Sequence, residues 1–294
     1  MPQTLAFKDW LTDASSQLSD IGINSANLDA EIILSHDLNI DRTYLHAHPE
    51  QIISTVNLKT VNNHLKDRLN RKPIAYIIGY KEFYGHKFFV TPATLIPRPE
   101  SEDIITLLKQ IIKSGNLNQK SLKLIDIGTG SGCLGITAKL EFPTLDVTLA
   151  DINSDALKVA TLNAASLLVD VATLRSDLLQ NYAHKPDIIV ANLPYVDQAW
   201  DRSPETDHEP AQALFADENG LAVIKKLIDQ ARHQLSLGGY VIIEADPTQH
   251  DELINFAQKH SFSLVETLNY AVCFSNKKDQ KLNNTSVNTI KPKD

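Results

Sequence analysis

Leu124-Ile125-Asp126-Ile127-Gly128-Thr129-Gly130-Ser131-Gly132 decides how the rest of the chain is read. A short strand, apolar at Leu124, Ile125 and Ile127, runs into three glycines at alternate positions. Cys133-Leu134-Gly135-Ile136-Thr137-Ala138 then continues as a helix. Glycines at a strand-to-helix turn allow a tight bend and close approach of backbone to a ligand. The spacing does not fit a dinucleotide-binding loop, which needs its third glycine one position later, where this chain has Cys133.

A second strand, Val147-Thr148-Leu149-Ala150-Asp151, ends in an acid at the distance where such folds hold ribose hydroxyls. An ionised Asp accepts two hydrogen bonds from a cis-diol. Asn153-Ser154-Asp155 also suits a helix cap, so Asp151 as a loop residue remains open from these residues alone. Ser176-Asp177-Leu178 follows a further apolar-containing stretch and either contacts a bound base or makes an ordinary turn.

The buried-strand run Ile188-Ile189-Val190 leads into Ala191-Asn192-Leu193-Pro194-Tyr195. An Asn at the carboxyl end of a parallel strand faces the ligand crevice of an open α/β sheet. The Asn192 carbonyl and nearby backbone carbonyls are acceptors for a planar NH2 group, and Tyr195 offers a flat face beside them. The same residues also suit a plain strand-ending turn. Paired with the glycine loop, they read as a holder for an amide or an exocyclic amine.

The chain has 294 residues, 43% of them hydrophobic, enough for one large domain and a smaller one. A formal charge of −8 argues against affinity built on a nucleic-acid phosphate backbone. The densest basic cluster, Lys66-Asp67-Arg68-Leu69-Asn70-Arg71-Lys72, reads as a solvated helix end. Cys133 and Cys273 lack disulfide or metal-ligand spacing, and no metal is expected. Without a bilayer-length apolar run or a signal-peptide pattern at Met1–Trp10, a cytoplasmic protein is expected.

Apolar periodicity predicts helices over Leu5–Leu18, Asn27–Leu38 and Val56–Leu69, forming a small bundle. A hairpin is expected over Glu82–Val90, turning near Gly85. Pro99 places Glu100 and Ser101 in the first turn of the helix that carries Ile104 to Leu108, and Ser114–Asn118 punctuates the chain after it. From Leu122 strands and helices alternate, which predicts a mostly parallel sheet; Leu221–Leu235 and Tyr240–Glu244 read as a late helix and strand.

The glycine loop resembles the Asp-x-Gly-x-Gly-x-Gly loop of class I S-adenosylmethionine methyltransferases. Longer blocks narrow the resemblance. Arg71-Lys72-Pro73-Ile74-Ala75-Tyr76-Ile77-Ile78-Gly79, Phe83-Tyr84-Gly85, Val90-Thr91-Pro92 and Leu95-Ile96-Pro97-Arg98-Pro99-Glu100 are similar to signatures of the HemK-type peptide chain release factor glutamine methyltransferases. So are Glu209-Pro210-Ala211-Gln212-Ala213-Leu214 and Asn219-Gly220-Leu221. The resemblance implies an α/β, Rossmann-like class I fold with a small N-terminal helical domain. It also implies methylation of the Gly-Gly-Gln glutamine of release factors, with S-adenosylmethionine as cofactor and release factors as partners, and with no membrane or direct nucleic-acid contact.

In that frame the organisation is a helical substrate-recognition domain at 1–80, a hairpin and linker helix at 81–121, a catalytic domain at 122–276 and a disordered tail at 277–294. Asn192, Pro194 and Tyr195 would act in catalysis, with Leu193 beside them at the substrate. Asp126, Gly128, Thr129, Gly130, Ser131, Gly132, Asp151, Asp177, Leu178 and Asn192 would hold the cofactor. Three departures stand out. Leu193 replaces the first proline of the family's Asn-Pro-Pro-Tyr, Ser101 replaces a threonine, and no Gly-x-x-Arg stretch occurs around Asn269–Phe274. Asn-Leu-Pro-Tyr also resembles the block of ribosomal RNA adenine dimethyltransferases, so methylation of an exocyclic adenine amine in RNA or DNA is the alternative. An inactive binding module would lack the paired cofactor acid and amine holder.

Overall fold

The computed structural model describes residues 5–114 and 121–276. Most of the Ser114–Asn118 punctuation and all of the 277–294 tail lie outside the described residues. The chain begins with β1 (Leu5–Ala6), α1 (Phe7–Asp20), α2 (Ala26–Leu38), α3 (Arg42–Ala47), β2 (Ile52–Ile53), α4 (Thr55–Leu69) and α5 (Ile74–Ile78). The three expected helices are there, within two residues of the bounds read from the sequence. Trp10, Leu18, Ile33, Leu34 and Val61 close a core of their own. The β1–β2 ladder, two residues on each side, and the one-turn α3 and α5 are too short for periodicity to reveal.

The hairpin is β3 (Tyr80–Phe83) and β4 (His86–Phe89), turning through Tyr84 and Gly85. A 3-10 turn at Pro99–Ser101 leads into α6 (Glu102–Lys113), as the position of Pro99 requires. The remaining chain alternates: β5 (Lys123–Ile127), α7 (Cys133–Glu141), β6 (Asp146–Asp151), α8 (Ser154–Ser166), β7 (Ala172–Arg175) and β8 (Ile188–Ala191). It continues with α9 (Ala211–Leu214), α10 (Ala222–Gln234), β9 (Tyr240–Glu244), α11 (His250–Lys259), β10 (Ser263–Leu268) and β11 (Ala271–Ser275).

The seven-stranded sheet runs β10-β11-β9-β8-β5-β6-β7. The five strands from β9 to β7 are parallel to their neighbours, and β11 and β10 close one edge antiparallel. The order reverses between β5 and β8, the switch point at which open α/β sheets bind ligands. Successive residues of β8 alternate between two cores, Ile188 and Val190 on one face, Ile189 and Ala191 on the other.

Three side chains tie the sheet to what precedes it. Asn163 of α8, fully buried, donates to the carbonyls of Phe89 and Ser131 at 2.9 and 2.8 Å and accepts from Phe89 N at 2.7 Å. It fastens the hairpin to the glycine loop. Arg68 and Arg71 fasten the helical segment to the loop after Tyr195. Arg68 donates to Asp29 at 2.7 Å and to Glu205 at 3.0 Å, and Arg71 reaches Glu205 at 3.3 Å.

The basic cluster is therefore not the solvated helix end that its composition suggests. Arg68 is only 5% exposed, because a carboxylate far along the chain folds onto it. Burial works against ionisation of Glu205, but the Ser203 hydroxyl, its own backbone amide and Arg68 together hold it down to about 2. This depressed pKa gives stability that is present above the ordinary value near 4.5 and is lost as pH falls towards about 2. Denaturation midpoints measured from pH 6 to pH 3 should fall less in Glu205→Gln than in the wild type. Arg68→Ala, which leaves buried Asp29 without its cation and Glu205 with Arg71 alone, should cost about 3–5 kcal/mol at neutral pH.

Candidate active site

Parallel register builds the site. Ile127 of β5 pairs with Ala191 of β8, so Gly128 and Asn192 leave the sheet side by side. Gly128 has φ +68°, and a Cβ there would lie 2.8 Å from Leu193 Cδ2. Only glycine lets the cofactor loop and the Asn192 loop approach so closely. Leu193 is 4% exposed and joins the core beneath the site. Its packing on the loop supplies an anchor where the family's proline would supply backbone rigidity.

A cleft of about 320 Å³ opens over this junction. Gly128, Gly130, Asp151, Asp177, Leu178, Asn192, Leu193 and Pro194 line it, as the sequence reading requires. Four other expected cofactor residues, Asp126, Thr129, Ser131 and Gly132, stand behind the wall rather than on it. Asp126 is 1% exposed, and its Oδ2 accepts from Thr129 Oγ1 at 2.6 Å and from Gly135 N at 2.9 Å. Its partners are the loop and α7, so it braces the loop from below. Burial, partly offset by those two hydrogen bonds, lifts its carboxyl to about 6. Tyr195 also lies off the cleft wall, with its hydroxyl turned away to a buried carboxylate.

Asp151 holds the loop and keeps spare capacity. Its Oδ2 accepts from Gly130 N at 2.9 Å and its Oδ1 from Asn153 N at 2.8 Å. Each oxygen keeps a second lone pair, enough for a diol. Asn153 also caps α8 by accepting from Asp155 N, so the capping and the ligand-facing roles fall on neighbouring residues. Ile152, 57% exposed, adds an apolar plate beside Asp151. Asp177 is paired with Lys226 at 2.6 Å, which commits its carboxylate in part to protein.

Residues that the sequence reading left without a site role hold the holder in place. Glu209 accepts from Ile96 N at 3.1 Å and from Arg98 Nη2, joining two of the signature blocks at one edge of the cleft. Gln249 donates to the carbonyls of Tyr195 and Asn219 at 2.8 and 2.6 Å, and a Cβ on Gly220 would strike the Tyr195 carbonyl. Ser101 Oγ accepts from Asn192 Nδ2 at 2.8 Å, and Tyr195 donates to Glu244 at 3.0 Å. These hydrogen bonds join residues 30 to 113 positions apart, beyond the reach of any local pattern.

Known proteins resemble this chain over most of its length. Residues 9–79 match the PrmC N-terminal domain, and residues 106–216 match the methyltransferase small domain. The chain is 36% identical to the release factor glutamine methyltransferase of Koribacter versatilis over 255 residues, covering 83% of this chain and 89% of that protein. With the Salmonella typhimurium enzyme of the same name it shares 36% over 265 residues, covering 89% and 93%.

The chain belongs to the release factor glutamine methyltransferase family.

A Rickettsia bellii bifunctional methyltransferase is 33% identical over 87% of this chain, which spans about half of that protein, 51%. Among solved structures, the Thermus thermophilus 16S rRNA N2 G1207 methyltransferase, in complex with AdoMet and guanosine, superposes with a TM-score of 0.51. At 17% identity, over 68% of this chain and 50% of that one, it supports the class I methyltransferase fold and nothing finer.

The cleft fits S-adenosylmethionine, the cofactor of this family, because its glycine floor leaves the backbone bare and Asp151 has acceptors to spare. Asp151→Ala should weaken S-adenosylmethionine binding by about 1.5–3 kcal/mol, the worth of hydrogen bonds to a charged group. Calorimetry on the folded variant checks this, and unchanged affinity would move the ribose contact elsewhere.

Proposed function

We propose that this chain transfers the methyl group of S-adenosylmethionine to the side-chain amide nitrogen of the glutamine in the Gly-Gly-Gln motif of peptide chain release factors, in the cytoplasm. The observation that carries the proposal is Asn192 beside Gly128, an amide holder set against a cofactor loop. Family membership over most of the chain supports the substrate.

Gly128, Gly130, Asp151, Ile152, Asp177 and Leu178 would hold the cofactor, with Asp126, Thr129, Ser131 and Gly132 shaping the loop from behind. When bound, it supplies an electrophilic methyl group on a cationic sulfur. Asn192, Leu193, Pro194 and Tyr195 do the rest. The lone pair of an amide nitrogen is delocalised into its carbonyl, so the nitrogen is a poor nucleophile while planar. Acceptors at Asn192 Oδ1 and at the Leu193 or Pro194 carbonyl hold both N–H protons, fix the direction of approach and favour pyramidalisation. Tyr195, off the cleft wall with its hydroxyl tied to Glu244, anchors the segment that carries the Leu193 and Pro194 carbonyls. A base acting early is not required, because the nitrogen becomes acidic only as it gains positive charge.

The adenine-amine alternative draws on Leu193, which gives the Asn-Leu-Pro-Tyr block of RNA adenine enzymes. Against it stand the net charge of −8 and the match of residues 9–79 to the PrmC N-terminal domain. We assign that domain to engagement of the release factor. No helix among the described residues is long and apolar enough to cross a membrane.

Transfer of labelled methyl to purified release factor, to a variant lacking the Gly-Gly-Gln glutamine, and to ribosomal RNA separates the readings. Label should enter only the first. Asn192→Ala should lower turnover by about 10²–10³-fold, the usual cost of one donor or acceptor aimed at developing charge, with little change in cofactor affinity. Label in RNA and none in release factor would reject the proposed substrate.

A further inference from the structure

A buried carboxylate stands behind the amide holder. In the β8–β9 ladder Ala191 pairs with Ile243, so Asn192 and Glu244 are the next residues on adjacent parallel strands. Glu244 is 1% exposed, and its Oε1 accepts from the Tyr195 hydroxyl. Its Oε2 is sealed from solvent with no hydrogen bond of ordinary geometry. Burial raises the Glu244 carboxyl above the ordinary range, and the nearby Ser101 hydroxyl, Tyr195 hydroxyl and Asn192 amide oppose that rise. Ser101 itself is 2% exposed and sits between Glu244 and Asn192, accepting from Asn192 Nδ2.

This arrangement has a direction. A serine hydroxyl has one proton and two lone pairs, and an ionised carboxylate only accepts. An open acceptor on a buried carboxylate is costly, so it draws the Ser101 proton. Ser101 can then only accept from Asn192. The Asn192 amide must turn its Nδ2 inward, which leaves Oδ1 to the cleft, where no described residue donates to it. The opposite orientation differs by a half-turn about one side-chain bond and would set a donor against the donors of a substrate amide.

We propose that Ser101 and Glu244 are positioning residues that orient the Asn192 amide, so that its oxygen rather than its nitrogen faces the substrate. The inference rests on Asn192 as acceptor for the substrate NH2, and it concerns how that acceptor is aimed. Protonation of Glu244 would make it a donor to Ser101 Oγ, freeing the serine proton to turn to Asn192 Oδ1 and flip the amide. The other titratable groups that face Glu244 are Glu100 before α6, Tyr195 after β8 and Cys133 at the head of α7, with Tyr270 beyond Tyr195. Transfer should therefore fail on the acid side, beginning above the pH at which an exposed glutamate titrates.

The test uses the full chain with Ser101→Ala, Ser101→Thr and Glu244→Gln. Ser101→Ala should lower kcat for release factor methylation by about 100-fold, with KM and S-adenosylmethionine affinity within about threefold of the wild type. Ser101→Thr, which keeps the hydroxyl, should restore kcat to within about threefold, and Glu244→Gln should remove the acid limb of the pH profile. In the free protein labelled with 15N-asparagine, the Asn192 side-chain signals should shift as Glu244 titrates, and Ser101→Ala should abolish that shift. Wild-type kcat in Ser101→Ala, failure of threonine to rescue, or Asn192 signals indifferent to pH would each overturn the proposal. If an alanine variant does not fold, Ser101→Thr and the wild-type titration decide. If the wild type does not methylate release factor, the substrate reading falls, while the Asn192 signals still report whether the amide is held as described.

Discussion

The register of two parallel strands governs the site. Ile127 opposite Ala191 in the β5–β8 ladder places Gly128 and Asn192 one residue beyond the sheet, at the point where strand order reverses. A one-residue slip would turn every side chain of β8 to the other face and put Asn192 out of reach of the loop. The alternating burial of β8 between two filled cores makes such a slip costly. Packing of ordinary aliphatic residues therefore sets the distance between the cofactor loop and the amide holder. Ala191 opposite Ile243 extends the same register to Glu244.

Polar side chains then fix what the register only brings near. Asn163, Asp126 and Asp151 hold the glycine loop from three directions, and Glu209 and Gln249 hold the cleft edge and the segment after Pro194. All five are buried, so each missing partner would leave an unpaired polar group at a cost of about 1–3 kcal/mol. That penalty favours one arrangement of the loops over many. The Arg68–Glu205 pair extends the constraint to the helical segment, since Glu205 lies ten residues after Tyr195 in the same connection. Movement of that segment would be felt at the loop that carries Tyr195.

Much of this was readable from residue order. Leu124–Gly132 and Ala191–Tyr195 announce themselves because strand, turn and ligand-facing residue are contiguous, and the helices of the N-terminal segment because their apolar residues recur with the helical period. Glu244 gives no such sign. It ends an apolar strand as a charged residue often does, and its hydrogen-bond partner, Tyr195, lies 49 residues away. Ser101 reads as a residue of a helix's first turn, and Arg68 as one cation in a solvated cluster. Each acquires its role from a partner on another strand or segment, and pairings of that kind leave no period in the sequence. Asp126 shows the converse: the motif points to it, but its depth in the sheet makes it a brace for the loop rather than a wall of the cleft.

The central claim is that Asn192 and its neighbouring backbone carbonyls hold a primary amide against the cofactor loop. A crystal structure of the wild type with S-adenosylhomocysteine and free glutamine tests it most directly. The account predicts the glutamine side-chain nitrogen within hydrogen-bond distance of Asn192 Oδ1 and of a Leu193 or Pro194 carbonyl, with Asn192 Nδ2 still on Ser101. Glutamine bound with its amide away from Asn192, or an Asn192 amide turned to present Nδ2 to the ligand, would contradict it.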